Sequence, residues 1–193
     1  TNIAATSNEA YTVTIATKNY NIISATLTLH PTDKSDANVS VTGVPTTASV
    51  TYGDSFTLKA EAANVGTGTS TWTWSSSNSS VLAVTDNGAT ATVKVLTAGN
   101  AAITVKYESD TTVDTETTAD ITAVRRVISV KADDKSMTVN AALPTFTVTY
   151  GSFASGDTAD TVFETKAVAS TTTDGKTTGT FDITVTTPTL KSG

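Results

Sequence analysis

The amino-acid sequence predicts an all-β protein, in which an immunoglobulin-like β-sandwich is accompanied by a second β-rich domain. Three observations indicate this class. Thr, a β-branched residue that favours strands, is the commonest residue of the chain. Segments of alternating apolar and polar residues recur about every 8–12 residues, separated by Gly, Asn and Asp turn signals. Residues 38–124 contain about seven or eight such segments, which is the number and spacing of a sandwich of this type.

Residues 1–30 are predicted to form a hairpin of two strands. Apolar residues alternate with threonines from Tyr11 to Ile15, and a second alternating segment covers residues 20–29. A lone hairpin is only marginally stable in water, so this one should complete another β domain. The residues expected to make that contact are Tyr11, Val13, Ile15, Tyr20, Ile22, Leu27 and Leu29.

The sandwich is predicted to span residues 38–124, after a polar linker at residues 31–37. Its most informative stretch is residues 70–84, with the sequence STWTWSSSNSSVLAV. Trp72 and Trp74 are two apart, so in a strand they share a face. They are the only 2 tryptophans, and the chain has 0 cysteines with which to form a disulfide. We therefore expect Trp74, with Trp72 beside it, to be the anchor of the core.

Residues 125–193 are predicted to begin a second β domain that is short of strands. Alternating patterns at residues 145–150 and 181–185 indicate strands, and Ser155, Gly156 and Asp157 form a turn signal. The segment offers only about four or five strands, fewer than a stable sandwich needs. We therefore expect residues 125–193 to be an incomplete domain with open strand edges.

The composition argues against several classes of function. The formal net charge is -6 and the densest cationic spot is Arg125–Arg126, so a nucleic-acid partner is not expected. No apolar run approaches the roughly 20 residues of a membrane helix, so membrane insertion is not expected either. With 0 Cys and only 1 His, the chain is poor in the side chains that most often carry nucleophilic and acid–base catalysis. The chain is therefore predicted not to be an enzyme.

No cofactor is expected, and the sequence predicts neither a catalytic residue nor a cofactor-binding or metal site. Calcium is the one metal left open, because it binds six to eight oxygens and the chain has several oxygen-rich turns. None of these turns has the spacing of an EF-hand loop, so solvated turns are the simpler interpretation. The turns are Asp33 with Asp36, Asp86 to Gly88, Asp110 with Asp114, and Asp133 with Asp134.

The central part of the chain resembles the bacterial Ig-like group 2 family. The similarity is carried by VTYGDSFTL at residues 50–58, WSSSNSSVLAV at residues 74–84, the turn at Gly88, and AGNAAITVKY at residues 98–107. The resemblance implies an extracellular module, usually found in tandem arrays on surface proteins, where it acts as a spacer or in adhesion.

The C-terminal part resembles the MBG-type β repeats of bacterial surface proteins. The matching stretches are VISVKADDKSMTV at residues 127–139, Leu143–Pro144, the turn at residues 149–151, and residues 155–157. The chain departs from the family at residues 140–142, where Asn-Ala-Ala replaces a Tyr-Gly-Asp turn.

Such repeats tend to end in two strands around an Asn-Tyr-x-Ile element, which in this chain occurs at its start, at residues 19–22. The resemblance therefore implies the tail of one repeat, a whole Ig-like domain, and the head of the next repeat. The two ends could complete each other within one chain, or join neighbouring copies head-to-tail. A heterologous contact between copies that does not close would give a fibre.

The sequence thus predicts a non-enzymatic structural repeat of an extracellular stalk, fibre or array, at the cell surface or secreted. Its partners would be neighbouring copies or adjacent repeats, joined by tandem linkage or strand complementation. The alternative is an adhesin or carbohydrate-binding module that uses loops at the end of the sandwich to hold a host or glycan ligand. A binder should expose loop aromatics, and only Phe153 is predicted to lie on a loop, which favours the structural hypothesis.

Overall fold

The computed structural model describes residues 9–17, 20–29, 33–47 and 49–192. The all-β fold class predicted from the sequence is confirmed, because the described residues form strands throughout and only one helical turn of 4 residues. The N-terminal hairpin consists of β1 (Glu9–Thr17) and β2 (Tyr20–Leu29). Residues 1–8, 18, 19 and 30–32 of the predicted hairpin and linker lie outside the described residues.

A β-sandwich follows the hairpin. Its strands are β3 (Ser35–Asp36), β4 (Val39–Thr42), β5 (Val50–Thr51), β6 (Ser55–Ala62), β7 (Thr71–Ser76), β8 (Leu82–Asp86), β9 (Thr90–Val95), β10 (Gly99–Ala101), β11 (Ile103–Glu108), β12 (Thr112–Thr117) and β13 (Ile121–Val124). One sheet has the order β4-β6-β9-β8, and the other has the order β3-β12-β11-β7 and is extended by β10-β13-β5.

Alternation along the strands fills the space between these sheets. In β9, Ala91, Val93 and Val95 are buried, whereas the residues between them are more exposed. In the facing sheet, Ile103 and Val105 of β11 are both 0% exposed. Trp74 of β7 belongs to the same cluster, and Trp72 packs against the edge of that cluster. The core is therefore a layer of Val, Ile, Leu and Ala closed by aromatic side chains.

The described end of the predicted linker belongs to the sandwich. Ser35 and Asp36 pair in parallel with Thr112 and Val113, and Ala37 is 0% exposed within the core. The prediction of a linker over residues 31–37 is therefore wrong at this end. A polar dipeptide at the edge of a sheet carries no apolar alternation, so the sequence gives no sign of the pairing.

The chain enters and leaves the sandwich at opposite ends. At one end Ser35 lies beside Thr112, the first residue of β12. At the other end Thr51 lies beside Val124, the last residue of β13. At about 3.3 Å per residue, the path from Thr112 to Val124 is roughly 40 Å long.

The C-terminal unit, residues 125–192, is built from two ribbons. Its elements are β14 (Val130–Ala132), β15 (Val148–Tyr150), the single turn α1 (Ala159–Val162), β16 (Phe163–Thr165), β17 (Ala169–Thr171), β18 (Ile183–Val185) and β19 (Thr189–Leu190). β14 and β15 form the first ribbon. The second ribbon pairs β16 with β19 and β17 with β18, so that its register runs from Phe163–Leu190 to Thr171–Ile183 with one irregularity.

The C-terminal unit buries its apolar residues less completely than the sandwich does. Val130, Val148, Ile183 and Val185 are only half-buried, and most of its buried apolar residues are alanines, with Phe163 as the one large exception. Large apolar side chains that are exposed concentrate here: Val127, Val139, Leu143, Val168, Phe181 and Leu190.

Candidate functional sites at the ends of the sandwich

Trp74, the predicted core anchor, ties β7 to the turn that follows β8. The residue is 7% exposed, and its indole Nε1 donates a hydrogen bond of 2.8 Å to the carbonyl of Gly88. The carboxylate of Asp86 accepts the backbone N–H of Trp74 at 3.1 Å and that of Gly88 at 2.9 Å. The carboxylate of the Asp-Asn-Gly turn is thus hydrogen-bonded to backbone N–H groups of the sandwich.

Trp72 lies nearer the end at which the chain enters the sandwich. Its ring packs on Tyr107, with ring centroids 4.6 Å apart and planes inclined by 55°. The hydroxyl of Tyr107 donates to the carbonyl of Val65, in the loop before β7. This aromatic pair therefore holds the loop against the sheet.

The N-terminal joint, where the chain enters the sandwich, is formed by Lys34, Glu108 and Lys106. Lys34 Nζ donates to Glu108 Oε1 at 2.7 Å and to the carbonyl of Ser109 at 2.6 Å. Lys106 Nζ donates to the other oxygen of Glu108 at 2.5 Å. Hydrogen bonds from Lys106 and Lys34, together with their charges, lower the pKa of Glu108 from 4.5 to about 2.

This ion-pair cluster predicts an acid sensitivity of the sandwich. Because the pKa of Glu108 is lower in the folded state, its contribution to stability is fully present above about pH 4.5. That contribution is lost as the pH falls towards about 2, where the carboxylate becomes protonated. The Glu108→Gln variant should therefore lose less stability than the wild type in urea unfolding as the pH is lowered through this window.

A matched control for this prediction is Glu116→Gln, the same carboxyl-to-amide change at an exposed position of β12. The pH dependence of its free energy of unfolding should be closer to that of the wild type than the pH dependence of Glu108→Gln is. If the Glu108→Gln and wild-type profiles were parallel from pH 5 to about pH 2, the joint would not contribute to folding.

The C-terminal joint, where the chain leaves the sandwich, is centred on Arg126. Its Nε donates to the carbonyl of Tyr52 at 3.1 Å, and its Nη2 donates to Asp54 Oδ1 at 2.5 Å. Gly53 has a φ of +86°, and a Cβ at this position would lie 2.3 Å from the Cβ of Ala154 in the C-terminal unit. The tight turn of the sandwich is therefore in close contact with the unit that follows it.

Tyr52 adds an electrostatic contact to the same joint. The negative charge of Asp157 raises the pKa of the Tyr52 phenol, and burial and a hydrogen bond to Asp157 act in the same direction. Asp157 belongs to the predicted turn of residues 155–157, where its N–H donates to the carbonyl of Ala154. The joint thus combines Arg126, the Tyr52–Asp54 turn and the Ala154–Asp157 turn.

The register of the N-terminal hairpin places the seven residues that are expected to make a contact on two different faces. Tyr11 pairs with Leu27, Val13 with Ala25, and Ile15 with Ile23. Directly paired residues of antiparallel strands share a face, and so do residues two apart. Tyr11, Val13, Ile15, Leu27 and Leu29 therefore belong to one face, together with Ile23 and Ala25, whereas Tyr20 and Ile22 belong to the face of the threonines.

Several acidic side chains of the oxygen-rich turns accept hydrogen bonds from neighbouring backbone N–H groups or hydroxyls. Asp36 accepts the N–H of Asn38, Asp114 accepts that of Val39, and Asp133 accepts the hydroxyls of Thr147 and Thr149. These hydroxyls, that of Thr147 first, lower the pKa of Asp133. Within the described part of the chain, no three His, Cys, Asp or Glu side chains are grouped as metal ligands. Calcium binding stays a prediction.

Among the residues that the structure describes, no helix has the length and apolar character that a membrane crossing requires.

The described residues thus form an all-β chain with three parts: a hairpin, a β-sandwich, and a C-terminal unit. The sandwich is joined to the C-terminal unit by the hydrogen bonds of Arg126. Residues 128–191 match the family model of the MBG domain (YGX type). The resemblance stated for the C-terminal part is thereby confirmed. The resemblance of the central part to the bacterial Ig-like group 2 family stays a prediction.

Among solved structures, the chain is similar to surface layer protein SbsC, domains 4-9, with 16% sequence identity and a TM-score of 0.31. The similarity covers 92% of this chain and 30% of that chain, so this chain spans less than a third of its length. No curated protein matches the chain.

Proposed function

We propose that the chain is a non-enzymatic structural repeat of an extracellular surface stalk, fibre or array. In this proposal copies are arranged head-to-tail, and the hairpin of one copy completes the C-terminal unit of the copy before it. The two copies are either linked in tandem within a longer polypeptide or are separate chains without a covalent link. Both family resemblances, of which the C-terminal one is supported by the MBG match, agree with a surface location.

The observation that carries this proposal is the polarity of the sandwich. The hairpin precedes Ser35 at one end, and the C-terminal unit follows Val124 at the other. The residues between Leu29 and Ser35 can span at most about 22 Å, whereas the path along the sandwich from Thr112 to Val124 is roughly 40 Å long. In this proposal the base of the hairpin stays at its own end of the sandwich, away from the C-terminal unit of its own chain, and is offered to another copy.

The hairpin and the C-terminal unit also have complementary surfaces. The hairpin has an apolar face, and within the described strands β1 and β2 pair only with each other. The C-terminal unit has half-buried apolar residues and two-stranded ribbons with free edges. Burying apolar surface at about 25 cal/mol per Å² is the main favourable term in such an association.

The test of this proposal is self-association measured by sedimentation velocity over a series of concentrations. The wild type should form species larger than a monomer in a concentration-dependent way. The double variant Val13→Asp with Leu27→Asp places two charges on the apolar face of the hairpin. Because burying an unpaired charge is costly, association should weaken by at least about 100-fold.

The matched control is Thr12→Asp with Thr28→Asp, which adds the same two charges on the opposite face with the same offset between the strands, because Thr12 pairs with Thr26 as Val13 pairs with Ala25. It should associate as the wild type does. Equal loss in both variants would show that charge alone, and not the apolar face, governs association. A strictly monomeric wild type that binds glycans would favour the carbohydrate-binding alternative instead.

A further inference from the structure

The two ribbons of the C-terminal unit leave two openings between them. The proximal groove, on the side of the sandwich, has a volume of about 480 Å³ and is bordered by Arg126; its apolar lining is Ile128, Val130, Phe163, Val185 and Leu190. The distal cavity has a volume of about 290 Å³ and is lined by Met137, Val139, Phe146, Phe181 and Ile183, among others. Both openings expose apolar side chains to solvent, and the distal cavity is also bordered by Lys135, Ser136 and several threonines, so each could receive a further element with an apolar face.

Both openings lie along one seam between the ribbons. Between them β14 of the first ribbon packs against β18 of the second. Along β18, Val185 lines the proximal groove and Ile183 lines the distal cavity. A single extended element that lies over the contact between β14 and β18 could therefore reach both openings.

The hairpin is about as long as this seam. β1 has 9 residues and β2 has 10 residues, so each is about 30–34 Å long. The second ribbon, from its Phe163–Leu190 pair to its Thr171–Ile183 pair, is about 27 Å long at the same rise per residue. The register also places five of the seven hairpin residues expected to make a contact on one face, which could cover the apolar residues of the seam.

We infer that the hairpin of the following copy lies along this seam in a fixed direction; this inference rests on the function proposed above. Its tip, near Thr17 and Tyr20, lies in the proximal groove, and its base, near Glu9 and Leu29, lies at the distal cavity. The base is tied to the next sandwich by at most about 22 Å of chain. The proximal end is already occupied by the receiving copy's own sandwich, which Arg126 contacts. The next sandwich therefore fits only at the distal end.

Chemical cross-linking tests this direction, because the chain has 0 Cys and each introduced thiol is unique. Hairpin variants carry Thr17→Cys at the tip or Thr28→Cys at the base. Receptor variants, lengthened by a tag, carry Thr187→Cys in the proximal groove or Thr178→Cys in the distal cavity. Each hairpin variant is mixed with each receptor variant and treated with a short bismaleimide, and the mixed dimer is quantified on a denaturing gel.

The pairs Thr17→Cys with Thr187→Cys and Thr28→Cys with Thr178→Cys should give at least about ten times more mixed dimer than the two exchanged pairs. A reversed preference, or equal yields from all four pairs, would overturn the inferred direction. Cross-linked peptides identified by mass spectrometry separate mixed dimers from dimers of one variant.

A pair of surface variants tests the seam independently of the cross-links. Leu190 is 68% exposed in the proximal groove, and Val168 is 61% exposed outside both openings. Leu190→Asp should weaken self-association at least tenfold, and Val168→Asp should leave it unchanged. If the wild type associates but Leu190→Asp has no effect, the seam is wrong and the proposed function stands. If the wild type does not associate at all, the proposed function itself fails.

Discussion

The Trp74→Ala variant should destabilise the sandwich by about 3–5 kcal/mol, a large part of the 5–15 kcal/mol typical of a domain. Trp74 is 7% exposed and packs among residues that are almost fully buried, so removal of its ring leaves a cavity. The change also removes the hydrogen bond from Nε1 to the carbonyl of Gly88. Urea unfolding followed by the fluorescence of Trp72, the one remaining tryptophan, reports this loss for the sandwich alone.

Trp74→Phe separates the two contributions. Phe keeps an aromatic ring in the core but cannot donate to Gly88; because Gly88 is exposed, its carbonyl can bond water instead, and the lost hydrogen bond costs about 0.5–1.5 kcal/mol. The variant should therefore lie between Trp74→Ala and the wild type. A loss of under about 1 kcal/mol for Trp74→Ala would mean that Trp74 is not the anchor of the core.

The sandwich was predictable from the sequence because its strands alternate strictly. Phe56, Leu58, Ala60 and Ala62 of β6 all belong to the core cluster or pack against it. A period of two can place such a set on only one face of a sheet, and burying that face fixes the register. The spacing of Trp72 and Trp74 follows the same rule, which is why local pattern was sufficient here.

The parts that the sequence could not predict depend on contacts between distant residues. The joint of Lys34 with Glu108 links positions 74 residues apart and that of Arg126 with Asp54 links positions 72 apart, and neither pair has a local signal. In the hairpin, an irregularity between Ile15 and Thr17 sets the register that pairs Ile23, and not Ile22, with Ile15. In α1, the capping box of Thr158 and Thr161 produces a helical turn in a segment whose residues also suit a strand.

The C-terminal joint gives the second large effect: Gly53→Ala should loosen the contact between the sandwich and the C-terminal unit. A φ of +86° disfavours any residue with a Cβ, at a cost of about 1–2 kcal/mol. The new Cβ would in addition meet the Cβ of Ala154 at 2.3 Å, and overpacking of this kind costs about 1–3 kcal/mol. Small-angle X-ray scattering should show a larger radius of gyration. The pKa of Tyr52 should fall back towards its ordinary 10.0 as Asp157 moves away.

Gly88→Ala is the matched control, because Gly88 has a φ of +76° but nothing within 4 Å of its added Cβ. It should carry only the backbone strain, visible in the urea unfolding of the sandwich, and should leave both the radius of gyration and the pKa of Tyr52 unchanged. Adding Ala154→Gly to Gly53→Ala removes the colliding atom and should restore the wild-type scattering profile. If Gly53→Ala changed neither scattering nor the Tyr52 titration, the two units would not be held by this joint. Rescue by Ala154→Gly, in contrast, would establish that the angle between the sandwich and the C-terminal unit is set by direct packing at Gly53.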